Sequence, residues 1–287
     1  MYAKMIYINE DDAENKRGLR NGNKYVSLDG SRVMFIGNSF TYYGGCVEKD
    51  KADTAADNGY FRRIAAAMGE DITVTCFTYG GKYLSDLYEM LLKKHPCHPG
   101  VGNEYDRIYD QDYVILQQAG ADRSNTYDMA RSIMQLFPDS TKFCFYVTTH
   151  DVSRNLVSNL AAAEKLQKEG KAKYIPLGQL SVDLWKGTVR VRDSVLTYDK
   201  DSFIVSQMTD SGKVDGWHPN YLTGYITALM VYYALTGRSA AGISNGFVSR
   251  GMEYYTHSAS DFDKILSSEN DTAEIGRLIE EYVDKYN

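Results

Sequence analysis

Val33-Met34-Phe35-Ile36-Gly37, followed without a break by Asn38-Ser39-Phe40-Thr41, is a short apolar run that ends in a glycine and opens into polar residues. Such a run reads as a strand buried on both faces, the kind that belongs to a parallel sheet covered by helices. The signal recurs at Ile72–Phe77, Tyr113–Gln117, Phe143–Val147 and, more weakly, Tyr174–Leu177. Helical spacing fills the intervals at Asp53–Met68, Leu84–Lys93, Tyr127–Leu136 and Asn155–Lys168, and each interval is long enough for a right-handed crossover. The alternation predicts an α/β fold: a flavodoxin-like three-layer α/β/α sandwich on a parallel sheet with strand order 2-1-3-4-5. Pro176 cannot donate to a ladder, which suits the edge position of the fifth strand in that order.

Beyond the fifth strand, Thr188–Val205 alternates with period two around the turn Asp199–Ser202 and predicts a hairpin insertion over about residues 187–206. A long apolar helix is expected from Pro219 to Thr236, with proline at its first position and Gly237 just past its end. The last helix carries Ile275, Leu278, Ile279, Tyr282, Val283 and Tyr286 on one stripe behind the cap candidates Asp271 and Thr272. No repeat or linker divides the chain, so it reads as an N-terminal extension over residues 1–30 and a single domain over residues 31–287.

Of 287 residues, 43% are hydrophobic and 24% charged, with five prolines, which is the composition of a folded globular protein. A net charge of −6, from 32 basic and 38 acidic residues, leaves no basic footprint for a nucleic-acid backbone and disfavours an anionic membrane. No stretch approaches about 20 uninterrupted apolar residues, and the N-terminus is charged where a secretory signal would be apolar, so the expectation is a soluble, cytoplasmic protein. The cysteines at 46, 76, 97 and 144 form no CxxC pair and read as buried thiols in a reducing compartment. His95, Cys97 and His98 in HPCHPG find no further ligand of their kind nearby, and a solvated loop explains them better than zinc.

In an open α/β sheet, ligands sit beyond the carboxyl ends of the strands, where the strand order switches direction. Here that crevice lies between strands one and three. It receives Asn38, Ser39, Phe40 and Thr41 from the first and Gln117 and Gln118 from the third, and it is bordered by Tyr79-Gly80-Gly81, whose glycines permit close approach of a ligand. The candidate base is His218, in Asp215-Gly216-Trp217-His218-Pro219 at the mouth of the apolar helix. A loop of that length can fold the Asp215 carboxylate onto Nδ1 of His218, which fixes the tautomer and leaves Nε2 free to take a hydroxyl proton. Each residue also has an ordinary structural use. Ser39 could cap a helix, Gln117 end a strand, Gly80 and Gly81 make a turn, and Asp215 cap the helix that His218 precedes.

Taken in order, these blocks resemble the SGNH (GDSL-like) hydrolase superfamily, whose first block reads roughly Gly-Asp-Ser and whose last is Asp-x-x-His. Here the first is Gly37-Asn38-Ser39-Phe40-Thr41 and the last Asp215 to His218; with Leu116-Gln117-Gln118 between them, the pattern is similar to a bacterial branch grouped near carbohydrate esterases. The resemblance spans about residues 32–237. It implies Ser39 as nucleophile, His218 as general base and then acid, and Asp215 as the orienting carboxylate. It further implies an oxyanion hole built from the N–H groups of Ser39 and Gly81, with Gly80 the alternate, and a third-block asparagine amide. There the chain departs from the family: in Ala119-Gly120-Ala121-Asp122, alanine stands at the asparagine position. That leaves Gln117 or Gln118 to supply the amide, and Gln117 is the expected donor.

Asn38, Tyr42 and Trp217 flank the expected site as substrate contacts, with Tyr43 beside them. The activity implied is hydrolysis of a small acyl ester, acetyl most plausibly, on a small molecule or oligosaccharide, without cofactor or metal. Two other classes compete. A flavodoxin-like FMN protein could set Asn38, Ser39 and Thr41 around a phosphate, but it has no use for Asp215 and His218. A non-catalytic carbohydrate-binding protein is suggested by the 24 tyrosines, although tyrosine at the rims of helices and strands accounts for most of them. GxxxxGK[ST] and a GxGxxG after strand one are both missing from the sequence.

Overall fold

A computed structural model of the protein describes residues 25–47, 59–97, 107–118, 125–148, 154–185, 207–208, 214–215, 218–219, 221–241 and 269–287. Strands β1 (Arg32–Gly37), β2 (Thr73–Thr78), β3 (Tyr113–Gln118), β4 (Lys142–Val147) and β5 (Lys173–Ile175) form one sheet in the order β2-β1-β3-β4-β5. All neighbours are parallel, as the buried apolar runs predict. In β1, Val33, Met34, Phe35 and Ile36 are all 0% exposed, and full burial of side chains of this size contributes about 1.5–3 kcal/mol each.

Alternation along the strands sends the core to two faces. Val33, Phe35, Ile115 and Tyr146 pack with Phe61 and Ile64 of α2 (Gly59–Ala67), Leu229 of α7 (Tyr221–Thr236) and Ile279 of α8 (Glu269–Tyr286). Met34, Ile36, Val114 and Leu116 pack with Leu87 of α3 (Leu84–Leu92), Ile133 of α4 (Thr126–Met134) and Leu166 of α5 (Arg154–Lys168). The result is the expected three-layer sandwich. Helix α7 is apolar on every side because it is enclosed, lying between α2 and α8. Its end is closed by Gly237, whose N–H returns to the Tyr233 carbonyl at 2.7 Å.

Several boundaries differ from expectation. The fifth strand stops at Ile175, and the Pro176 carbonyl accepts from the Leu180 N–H at 3.0 Å, so the proline opens helix α6 (Leu177–Trp185) and does not sit in the ladder. The apolar residues of α6 fall at 177, 180, 182, 184 and 185, which hides its period. Pro219 precedes α7 and is not its first residue. Asp271 and Thr272 lie inside α8, which begins at Glu269. A short antiparallel pair, β6 (Gln207–Met208) with β7 (Val214–Asp215), was not foreseen. The hairpin expected over residues 187–206 and the start of the helix expected from Asp53 fall outside the described residues.

Within the expected N-terminal extension, residues 25–30 are hydrogen-bonded to the rest of the fold. The Val26 N–H donates to the Thr236 carbonyl, Leu28 is fully buried with its N–H on Glu70 Oε1, and the Gly30 N–H donates to the Asp71 carbonyl. Among the described residues no helix is long and apolar enough to cross a membrane.

All four cysteines are buried thiols outside any disulfide. Burial pushes the Cys144 thiol up from its ordinary 9.0 to about 12, and it raises Cys46, Tyr60, Tyr174 and Tyr225 as well. An acid whose pKa is higher in the folded than in the unfolded chain stabilises the fold below its unfolded value, and that contribution is lost as pH climbs from there toward the folded value. Unfolded thiols and phenols release protons from about pH 9 and 10, so each such group removes about 1.4 kcal/mol per further pH unit. The urea midpoint is therefore expected to be markedly lower at pH 10.5 than at pH 7.5. Equal midpoints would show that these groups are not buried in solution.

Candidate active site

The site is built at the C-terminal end of β1. The chain leaves the sheet at Gly37, where there is room only for glycine: a Cβ would stand 2.1 Å from Thr41 Oγ1 and 2.6 Å from Gln117 Oε1. Asn38 then caps the single-turn helix α1 (Ser39–Tyr42), its Oδ1 accepting from the Phe40 N–H at 3.1 Å. Ser39 is therefore not the cap. Its hydroxyl instead meets the His218 ring, with Oγ 2.9 Å from Nε2, between residues 179 apart in sequence. When the ring proton is on Nδ1, the Ser39 O–H donates to Nε2, the geometry a base needs to take that proton.

Other contacts hold this pair. The Tyr43 ring stacks on the His218 imidazole with centroids 4.0 Å apart and planes 18° apart, and Phe40 lies tilted against it at 5.2 Å. Behind Tyr43, Gly44 touches Gly224 of α7 so closely that a Cβ on Gly224 would lie 1.9 Å from the Gly44 oxygen. This approach packs the helix that follows His218 against the turn that follows α1.

Asn38 also reaches the second loop. Its Nδ2 donates to the Lys82 carbonyl at 2.8 Å, joining α1 to the turn Tyr79–Lys82, which is closed by the Lys82 N–H on the Tyr79 carbonyl. Gly81 takes φ +69 in that turn, and the direction a Cβ would take is open space. Gly80 is tighter, with a Cβ position 3.0 Å from the Tyr42 hydroxyl.

No family model matches the chain, and no curated protein matches it. Among solved structures it is similar to a lipase/acylhydrolase from Enterococcus faecalis. The two share 15% identity over 72% of this chain and 96% of that chain, at a TM-score of 0.46.

The structure distributes the expected site residues unevenly. Ser39 and His218 come together. Asp215 is placed through its backbone, in β7 opposite Gln207, and Trp217, Ala119 and Ala121 fall outside the described residues. Asn38 is 5% exposed with both ends of its amide engaged inside the protein, so it holds loops where a substrate contact was expected. Tyr42 is also 5% exposed and belongs to the core; the ring facing the site is that of Tyr43, one residue on. Gly224 and Thr41 were not singled out for these roles, because close backbone approach across the fold leaves no mark on the local pattern.

Gln117 and Gln118 point to opposite faces of the sheet, as alternation requires, and both are buried. Gln117 Oε1 accepts from the Asn38 N–H and from the Thr41 hydroxyl, each at 2.9 Å. Because the Asn38 N–H can only donate, the carboxamide must turn its oxygen to the loop, and Nε2 is buried without a hydrogen-bond partner among the described residues. The expectation that Gln117 donates to an oxyanion does not suit this geometry, in which the side chain supports the loop from beneath. Beside it the Tyr146 phenol, pushed well up by burial, stays neutral. Gln118 Oε1 accepts from the Leu84 N–H at 3.0 Å, at the start of α3.

Truncating either glutamine strands a buried N–H, so Gln117→Ala and Gln118→Ala are each expected to cost about 1–3 kcal/mol in urea unfolding. They should differ in turnover. Gln117→Ala loosens the serine loop and lowers kcat, whereas Gln118→Ala leaves that loop in place and keeps kcat within several-fold of the parent. Equal kcat losses would contradict this division.

Proposed function

We propose that this protein is a serine hydrolase of the SGNH kind that removes a small acyl group, acetyl in particular, from a carbohydrate ester. The observation that carries the reading is the 2.9 Å contact between Ser39 Oγ and His218 Nε2 at the switch point of the sheet. In the proposed mechanism, Nε2 takes the hydroxyl proton as Oγ attacks the ester carbonyl, and the tetrahedral oxyanion is held by the N–H groups of Ser39 and Gly81. The His218 imidazolium returns the proton to the departing alcohol, leaving an acyl-Ser39. Water, deprotonated in turn by His218, clears that ester and regenerates the serine. Asp215 is assigned to Nδ1 of His218 as the group that orients the ring and faces the imidazolium.

The open direction at Gly81 and the aromatic rings of Phe40 and Tyr43 beside the base support a compact acyl group and a sugar alcohol. The test is turnover of p-nitrophenyl acetate, butyrate and octanoate beside acetylated oligosaccharides. The acetates should be turned over fastest and the octanoate slowest. No turnover of any ester by the folded protein would overturn the proposal, and octanoate preference would overturn the acetyl assignment.

A further inference from the structure

We infer that Tyr43 is a positioning residue for His218, and that its ring face stabilises the imidazolium formed while Ser39 attacks. The inference rests on the hydrolase reading above and extends it to a residue outside the expected triad. Three observations carry it. The stack is close and nearly parallel, at 4.0 Å and 18°, so the π face of Tyr43 covers one face of the imidazole. The ring approached in this way is the one whose Nε2 meets the Ser39 hydroxyl, so a rotation that broke the stack would also break the 2.9 Å contact. Tyr43 itself is fixed from behind: it begins the turn Tyr43–Gly45, and Gly44 of that turn is locked against Gly224 of α7.

The charge argument follows from the order of events. A neutral imidazole stacked on a phenol gains only ring packing, but an imidazolium over the same face also gains the attraction of a cation for the ring quadrupole. That gain appears only as the proton moves from Oγ to Nε2, so it lowers the barrier without tightening substrate binding. Phe40, tilted at 5.2 Å, flanks the same ring and leaves the parallel face to Tyr43.

The test compares Tyr43→Phe, Tyr43→Leu and a series of singly, doubly and triply fluorinated phenylalanines at position 43, using p-nitrophenyl acetate turnover. The fluorinated rings keep the shape of phenylalanine and weaken its negative face stepwise. Tyr43→Phe should remain within a few-fold of the parent, and Tyr43→Leu should lose about 3- to 30-fold in kcat at nearly constant KM. Across the fluorinated series kcat should fall monotonically, a dependence that packing alone does not produce. Active parent protein with an unchanged Tyr43→Leu variant, or with a flat fluorinated series, would overturn the inference and leave the hydrolase reading standing. A parent without ester turnover would overturn both.

Discussion

Ser39→Ala is expected to lower ester turnover about 10⁴- to 10⁶-fold while the protein stays folded. The fold should survive because Asn38, not Ser39, caps α1. Among the described residues the lost hydroxyl strands no backbone group. His218→Ala should fall in the same range, since it removes the acceptor for the serine proton. The double variant should be hardly worse than either single one, because residues that act as one unit do not contribute additively. Steady-state kinetics on p-nitrophenyl acetate, with circular dichroism to verify folding, checks all three. A Ser39→Ala protein retaining most of its activity would remove the serine from the chemistry.

Gly224→Ala is expected to damage stability and activity together. The added methyl would stand 1.9 Å from the Gly44 oxygen and 2.3 Å from its carbonyl carbon, and those are backbone atoms with no rotamer to yield. Relief requires α7 to move away from the turn Tyr43–Gly45, at a cost of about 1–3 kcal/mol for overpacking. The same shift carries the segment containing His218 away from Ser39. A displacement of about 1 Å at reacting groups is enough to cost on the order of 10²-fold in rate. Urea unfolding and kcat measured on the same preparation test the link. Lost stability with intact kcat would show that the close approach holds the core without setting the catalytic distance.

How much of this was legible beforehand follows from where the information lies. The sheet order could be read because β1 and β3 are apolar runs buried on both faces, a signal local to each strand. Ser39 and His218 could be singled out because each adjoins a recognisable boundary, Ser39 just past the end of β1 and His218 just ahead of α7. The supporting contacts could not be read in that way. Nothing around Gly224 announces that it will meet Gly44, and Asn38 looked like a substrate contact because its link to the Lys82 carbonyl spans two loops separated by α1, α2 and β2. Gln117 was expected at the oxyanion for a related reason. Alternation gives the face a side chain points to, and it cannot say that the backbone N–H of Asn38 and the Thr41 hydroxyl already occupy its oxygen. Tyr42 was expected as the contact, with Tyr43 only beside it, because a four-residue helix is too short to show a periodic face.

The central claim is that Ser39 is a nucleophile activated by His218, and covalent labelling tests it most directly. The protein is treated with a fluorophosphonate at neutral pH, and the adduct is located by tandem mass spectrometry. The account predicts one adduct, on the peptide containing Ser39, absent from Ser39→Ala and formed far more slowly in His218→Ala. An adduct on another residue, or none at Ser39 in folded protein that hydrolyses esters, would contradict it.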